Sequence, residues 1–251
     1  MTTVQKEHKS KKGILVILLL SLIGLWVLNN IFPATKCFWY IGLGVVGFIF
    51  SIKNRSNTRS DVIVGIILSG LVCLTNPFSG IATFFAYIGA QSVFRKSHNK
   101  IVVVNQKDIK NIIQTMLLVI LIGGVLGLVN VSMGFQSMPT NLNNDFKWVI
   151  VALSPGIGEE VVFRFILFAI CVVMTGDKVL TKWENILCYG IIVIPHVLLH
   201  FQLNNIDIGS VVMLTVLFGA PFAVLQRKWN LVAAMGSHYL VDLIRFFVFA
   251  G

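Results

Sequence analysis

The chain has 251 residues, of which 56% are hydrophobic and only 12% are charged. Soluble domains carry about 25% charged residues, so this composition excludes an ordinary soluble protein and indicates an integral membrane protein. The net charge of +10 is concentrated rather than spread along the chain. Sixteen of the 20 basic residues fall in five short polar segments, namely 1–12, 53–59, 95–110, 178–182 and 227–228.

The placement of the basic residues predicts a membrane topology rather than nucleic-acid binding. Polar segments that alternate with the five clusters, such as 133–147, are nearly free of basic residues. Basic loops of membrane proteins stay in the cytoplasm, so we expect the N-terminus and the other clusters on the cytoplasmic side of a cell membrane. The first apolar run lacks an A-x-A-like cleavage site and is interpreted as an uncleaved first helix. No nucleic-acid partner is expected.

Apolar stretches divide the chain into successive predicted membrane helices. About 20 apolar residues are needed to cross a hydrocarbon core of about 30 Å. The predicted segments are 13–32, 37–52, 62–76, 79–94, 111–132, 147–174, 185–204, 208–226 and 230–249. The short pair around "TNPFSG" could be a hairpin that does not fully cross. The prediction is therefore an all-α, polytopic membrane helix bundle of eight or nine transmembrane segments, forming one integral membrane domain over residues 1–251.

Ionisable residues divide this predicted domain into two halves. The predicted spans within 13–132 contain no acid, base or histidine, and we interpret them as scaffold or substrate-facing helices. The spans within 147–249 contain Glu159, Glu160, Arg164, His196, His200, His238, Asp242 and Arg245. Ionisable groups at membrane depth are costly, usually face the bundle interior and indicate function. The chemistry is therefore predicted in the second half.

The segment "GEEVVFRF" (158–165) contains the first of these polar groups. Glu160 and Arg164 are four residues apart, so they share a helix face and are expected to form a charge-assisted pair. Glu159 lies about 100° around the helix from Glu160 and is left free to accept a proton. The preceding "SPGIG" (154–158) is expected to break the helix inside the membrane, where only protein or water can satisfy the backbone.

Two later helices repeat the spacing of four residues. His238 and Asp242 lie in "HYLVD", where the aspartate can fix the tautomer and orientation of the histidine. His196 and His200 lie in "HVLLH", and His196 by itself is interpreted as a residue near the membrane interface. Arg245 is expected to snorkel to the interface or to pair with Asp242.

Two chemistries fit these side chains. A glutamate and a histidine can activate water while other polar groups stabilise an oxyanion. Alternatively, zinc could be held by a set of four ligands. That set would be Glu159, His196, His200 and His238. The sequence has no H-E-x-x-H motif, and it leaves open whether these side chains reach one another at a common depth.

Three motifs in chain order carry a family resemblance. They are "EEVVFR" (159–164), of the form E-E-x-x-x-R, "HVLLH" (196–200), which ends in the histidine of an F-x-x-x-H motif, and "HYLVD" (238–242), of the form H-x-x-x-N/D. On successive late helices they resemble the CAAX protease and bacteriocin-processing family, also called the CPBP or Abi family. The resemblance covers roughly residues 147–245.

The resemblance implies an intramembrane glutamic endopeptidase without a cofactor or metal. It implies that Glu159 and His200 activate the attacking water and that His238 and Asp242 occupy the positions proposed for the oxyanion site. Glu160 and Arg164 take the corresponding supporting roles. His196 departs from the pattern, because it stands where the second motif usually has Phe, and it keeps the zinc alternative open.

The function expected from the sequence is hydrolysis of peptide bonds in a peptide precursor, such as a bacteriocin precursor, or in a membrane protein. One alternative is a non-catalytic membrane scaffold or bacteriocin-immunity protein. Another is a proton-coupled transporter, because intramembrane glutamate, histidine and arginine also build proton relays. The sequence does not indicate the substrate, the cleavage site or the oligomeric state.

Overall fold

The protein is seen here in a computed structural model, which describes residues 11–104, 108–134 and 146–249. Within these ranges the chain forms helices and no β-strand, so the all-α prediction is confirmed. The α-helices are α1 Lys12–Ile31, α2 Cys37–Asn54, α3 Arg59–Cys73, α4 Pro77–Phe94, α5 Ile109–Leu118, α6 Gly124–Met133, α7 Lys147–Val151, α8 Ile166–Thr175, α9 Lys182–Leu198, α10 Ile208–Leu214, α11 Ala220–Lys228 and α12 Leu231–Phe249. Three π-helical segments link some of them, namely π1 Val119–Gly123, π2 Ser154–Phe165 and π3 Thr215–Gly219.

The bundle has an apolar surface and a partly polar interior, the reverse of a soluble protein. Large apolar side chains on α1, α2, α3 and α5 are exposed, while the charged Glu160 and Arg164 are buried. Five helical stretches are long and apolar enough to cross a membrane. They are Lys12–Ile31, Cys37–Asn54, Ile109–Met133, Ile208–Lys228 and Leu231–Phe249. The protein is therefore a multi-pass membrane protein, and the count of eight or nine crossings stays a prediction.

Polar caps define where several helices begin. Thr58 and Thr181 each form a capping box with an acidic residue three positions later, which satisfies the first amides of α3 and α9. Asn230 accepts the Ala233 amide at 2.7 Å at the start of α12. The amides of Leu231 and Val232 donate to carbonyls of the extended segment 101–104. The start of α12 is thus fixed by backbone hydrogen bonds to a distant part of the chain.

The described parts of the five basic segments meet at one end of the bundle. The contacts are Lys11 with Glu184, Lys178 with Glu184, Asn99 with Lys178, Lys96 with Asn54, and Arg227 with Asn185. Such a common end is what the predicted topology requires. Residues 1–10 and 105–107 of these clusters lie outside the described residues, and the cytoplasmic orientation of the N-terminus stays a prediction.

The expected break at "SPGIG" does not occur. The backbone of residues 154–165 continues as π2, with Pro155 in its first turn, where a missing amide is tolerated. The two other π segments pack against helices that carry candidate site residues. π1 packs against α12, as π2 does, and π3 packs against α9. Single-turn π segments within α-helices are found frequently at functional sites. The chain therefore accommodates the polar residues of π2 by wider helical turns and not by a break in the helix.

Helices α2 and α4 cross closely because glycines face each other at the crossing. A Cβ added to Gly89 would lie 2.6 Å from the carbonyl carbon of Gly47, and one added to Gly47 would lie 2.9 Å from Cα of Ala86. Small residues at helix interfaces allow such close packing in membranes, where the hydrophobic effect does not hold helices together.

We expect Gly89→Ala to destabilise the protein by about 1–3 kcal/mol, because backbone atoms of α2 cannot yield to the new methyl group. Gly42→Ala is the matched control on α2, since a Cβ there meets nothing within 4 Å, and it is expected to be neutral or slightly stabilising. Thermal or denaturant unfolding in detergent measures both. Equal stabilities of the two variants would contradict the close crossing.

Candidate active site

A buried ion network connects π2 to α12. Arg164 donates through Nη1 to Oε1 of Glu160, and Nδ1 of His238 donates to the same oxygen at 2.8 Å. Glu160 is fully buried, and Arg164 and His238 are buried as well. The side-chain amide of Gln226 also donates to the backbone carbonyl of Glu160, at 3.2 Å. The Glu160 carboxylate therefore serves two cationic or donor groups at once and fixes His238 against π2.

A second cluster forms around the neighbouring carboxylate. Nε2 of His196 donates to Oε2 of Glu159 at 2.9 Å. One ligand atom from each of Glu159, His196 and His200 can be chosen so that all lie within 4.8 Å of one another. Glu159 and His200 thus reach one another, which is one part of the point that the sequence left open. His196 is buried in the protein and is the direct partner of Glu159, whereas its expected position near the membrane interface stays a prediction.

The two clusters meet at His238. Its Nε2 lies 3.8 Å from Oε2 of Glu159 and 3.3 Å from Oδ2 of Asp242, one helical turn further along α12. Both ring nitrogens of His238 therefore face carboxylates. Because a carboxylate only accepts hydrogen bonds when ionised, this arrangement favours an N–H group at each nitrogen.

Stacking on aromatic rings restrains the ring orientation of two of the histidines. His196 stacks on Phe163 with ring centroids 5.0 Å apart, and His238 stacks on Phe222 at 4.8 Å. Offset stacking of this kind favours one ring orientation and limits the rotation of the side chain. The hydrogen bonds from these histidines to Glu159 and Glu160 are therefore preorganised.

The Glu159 carboxylate faces a cavity of about 250 Å³. Its walls come partly from the second half of the chain, through Glu159, Phe163, His196, Leu199 and His200, and partly from the first, through Asn29, Trp39 and Tyr40. Sequence reasoning missed these three residues, because it looked for ionisable groups and the first half has none within its predicted spans. The signal available was the polar and aromatic content of "NNIFPATKCFWY" between two apolar runs.

Two further cavities adjoin the site. One of about 100 Å³ is lined by Arg164, His196, His200, His238 and Asp242, together with residues of α6, α10, α11, π3 and α12. The other, of about 550 Å³, lies between α6, α10 and α12. His200 lines all three cavities. It therefore stands where the spaces around the two clusters meet.

The zinc set that the sequence left open as an alternative is only partly assembled. Glu159, His196 and His200 are close enough to share one ion, and three protein ligands with an open fourth position are typical of catalytic zinc. His238 is not a member of this group. Of the two expectations for Arg245, the ion pair with Asp242 does not form among the described residues, and snorkelling to the interface stays a prediction.

The fold and these contacts define a multi-pass membrane protein with a cluster of glutamate and histidine side chains inside its helix bundle. Residues 142–244 match the family model described as Rce1-like, type II CAAX prenyl endopeptidase Rce1-like. The match covers less than half of the chain but includes all three motifs, and it confirms the resemblance to the CAAX protease family. It indicates a CAAX-type endopeptidase. No curated protein and no solved structure gives a significant match.

We expect Arg164→Met to destabilise the protein by about 3–5 kcal/mol, because it leaves the Glu160 carboxylate buried without its cation. Arg245→Met is the matched control, since Arg245 is exposed and has no ion pair among the described residues, and its cost should stay within about 0.5 kcal/mol. Unfolding in detergent measures the difference. Similar losses for both variants would show that Arg164 does not stabilise the site.

Proposed function

We propose that the protein is an intramembrane endopeptidase in which Glu159 activates the water that attacks the scissile carbonyl. The observation that carries the proposal is the position of the Glu159 carboxylate. It is hydrogen-bonded by His196, lies near His200 and His238, and faces a cavity. A base must lie within hydrogen-bond reach of the proton that it removes, and a water in this cavity meets that condition.

In the proposed reaction, Glu159 takes a proton from the water as its oxygen forms a bond to the carbonyl carbon. The same carboxyl group then gives the proton to the leaving nitrogen as the C–N bond breaks. One water is consumed for each bond cleaved, and Glu159 returns to its starting state. In this proposal His200, which lines all three cavities, holds the water, and His196 orients the carboxylate.

His238 is the proposed donor to the oxyanion. Its Nε2 lies 3.8 Å from Oε2 of Glu159, which supports a role for this N–H beside the carbon that the water would attack. Asp242, at 3.3 Å from the same nitrogen, helps to orient this N–H group. Glu160 and Arg164 act as positioning residues through Nδ1 of the same ring. A donor fixed before the reaction stabilises the developing charge without the cost of reorganisation.

The proposed substrate is a peptide precursor or a membrane protein. Its scissile segment would have to enter a site that lies inside the apolar bundle, so a flexible segment beside an apolar one fits best. We place the protein in the cell membrane with its N-terminus in the cytoplasm, because the described basic segments share one end of the bundle.

We expect Glu159→Gln to lower the cleavage rate by about 10²–10⁴-fold, because the amide keeps the shape but cannot accept the proton. The assay uses purified protein in detergent with a peptide library derived from a cell proteome, and products are identified by mass spectrometry. Glu184→Gln is the matched control, a buried glutamate that caps α9 at the basic end, and it should cleave at the normal rate. If well-folded Glu159→Gln, His200→Ala and His238→Ala all cleave like wild type, the proposal falls and a non-catalytic scaffold is favoured.

A second candidate, a zinc peptidase, is favoured by the closeness of Glu159, His196 and His200. In that reaction zinc would activate the water, and these residues would act as ligands.

His196→Phe separates the two candidates, because Phe keeps the ring that stacks on Phe163 but removes the nitrogen. On the glutamate proposal it should cost about 10- to 100-fold in rate, the loss of one hydrogen bond to a charged group, and a strong chelator should have no effect. Activity that is lost in chelator and restored by zinc, with about one zinc per chain by mass spectrometry, would establish the metal mechanism instead.

A further inference from the structure

Arg245 lies beside the candidate active site but has no role in the reaction described above. It is on α12, seven residues after His238 and one residue beyond the matched region. Its side chain lines both the cavity of about 100 Å³ that contains His200, His238 and Asp242 and the larger cavity of about 550 Å³. It therefore stands at the junction between the catalytic groups and a wider space.

The guanidinium group of Arg245 has no partner within the described ranges 11–104, 108–134 and 146–249. The nearest acid along the helix, Asp242, is 3.3 Å from His238 and forms no ion pair with Arg245. Charged groups in a membrane protein normally pair with one another or mark a substrate pathway. No acid among the described residues pairs with it, so an acidic group of a bound substrate is a candidate partner for this cation.

Asn130 of α6 supplies a second polar group at the same place. It lines the same two cavities as Arg245, and its side-chain amide makes no hydrogen bond to the described residues. The remaining walls of the larger cavity are partly apolar, through Met133, Met213, Leu214, Phe218 and Phe249, and partly polar, through His200 and Ser210. The amide and the guanidinium in this pocket form a donor-rich site that suits one planar anion.

We propose that Arg245 and Asn130 bind a carboxylate of the substrate on one side of the scissile bond. This inference rests on the proposed peptidase function and adds a specificity determinant to it. Arginine recognises a carboxylate through two parallel N–H···O bonds. The other ionisable groups that line the smaller cavity are Arg164, His196, His200, His238 and Asp242. Asp242 repels a second carboxylate, so the anion binds on the Arg245 side, away from Glu159.

A peptide has two kinds of carboxylate, the chain terminus and the acidic side chain. Binding of the terminus would direct cleavage to the last few residues of the substrate. Binding of an aspartate or glutamate side chain would direct cleavage to a fixed distance from an acidic residue. Both use the same chemistry at Arg245, and the test must separate them.

The test compares one proteome-derived peptide library in two forms, one with free C-termini and one with amidated C-termini. Within each form, cleavage near Asp and Glu is scored separately from cleavage near Asn and Gln. Wild type should cleave the carboxylate form about 10- to 100-fold faster than its neutral counterpart. Arg245→Gln should cleave the two forms equally, and Arg245→Lys should restore part of the preference. Asn130→Asp should reverse the preference for the carboxylate form. Lys228→Gln, which removes one positive charge at the basic end, serves as the charge-matched control.

A second readout separates this inference from the proposed function. The inactive Glu159→Gln protein is immobilised, and retention of the free-acid and amidated libraries is compared with that of the double variant Glu159→Gln/Arg245→Gln. Acid-selective retention that depends on Arg245 supports the carboxylate site even if no cleavage is found, in which case the peptidase function fails alone. Cleavage without preference for a terminal or side-chain carboxylate overturns the carboxylate site and leaves the peptidase standing. If neither cleavage nor retention is selective for carboxylates, the carboxylate site is overturned as well.

Discussion

The contact on which the site depends is the sharing of one Glu160 oxygen between Arg164 and His238. In an apolar bundle an unpaired carboxylate is very costly, so Glu160 is tolerated only while both partners hold it. The contact of Glu160 with Arg164 lies within π2, whereas its contact with His238 joins π2 to α12. It therefore fixes α12 against π2, and with it the distance from His238 to Glu159, without using the Glu159 carboxylate itself.

The π-helical turn around these residues follows from the same constraint. Two adjacent glutamates must point to different partners, Glu159 to His196 and Glu160 to Arg164 and His238. A continuous backbone satisfies its own amides and carbonyls, which a broken helix in a membrane cannot do without help. The wider turn thus keeps π2 hydrogen-bonded while it presents two carboxylates to two separate clusters.

The sequence predicted what depends on local spacing and missed what depends on packing between helices. The ion pair of Glu160 with Arg164 and the separate orientation of Glu159 both follow from positions along one helix. The contact of His196 with Glu159 does not, because it joins residues 37 apart on different helices. The same holds for the walls that Trp39 and Tyr40 add to the cavity, since apolar and aromatic residues on α2 carry no signal of which neighbour they meet.

The backbone hydrogen bonds at the start of α12 have a consequence for how the chain tolerates change. The amides of Leu231 and Val232 are held by the carbonyls of Val102 and Val103, at 2.9 and 3.1 Å. A helix rises 1.5 Å per residue, so His238 lies about 10 Å along α12 from this anchor. Carbonyl groups are common to every residue, so these two hydrogen bonds do not depend on which side chains stand at 102 and 103. We expect insertions and deletions in that segment to be poorly tolerated, because each would shift α12 and move His238 out of register with Glu160.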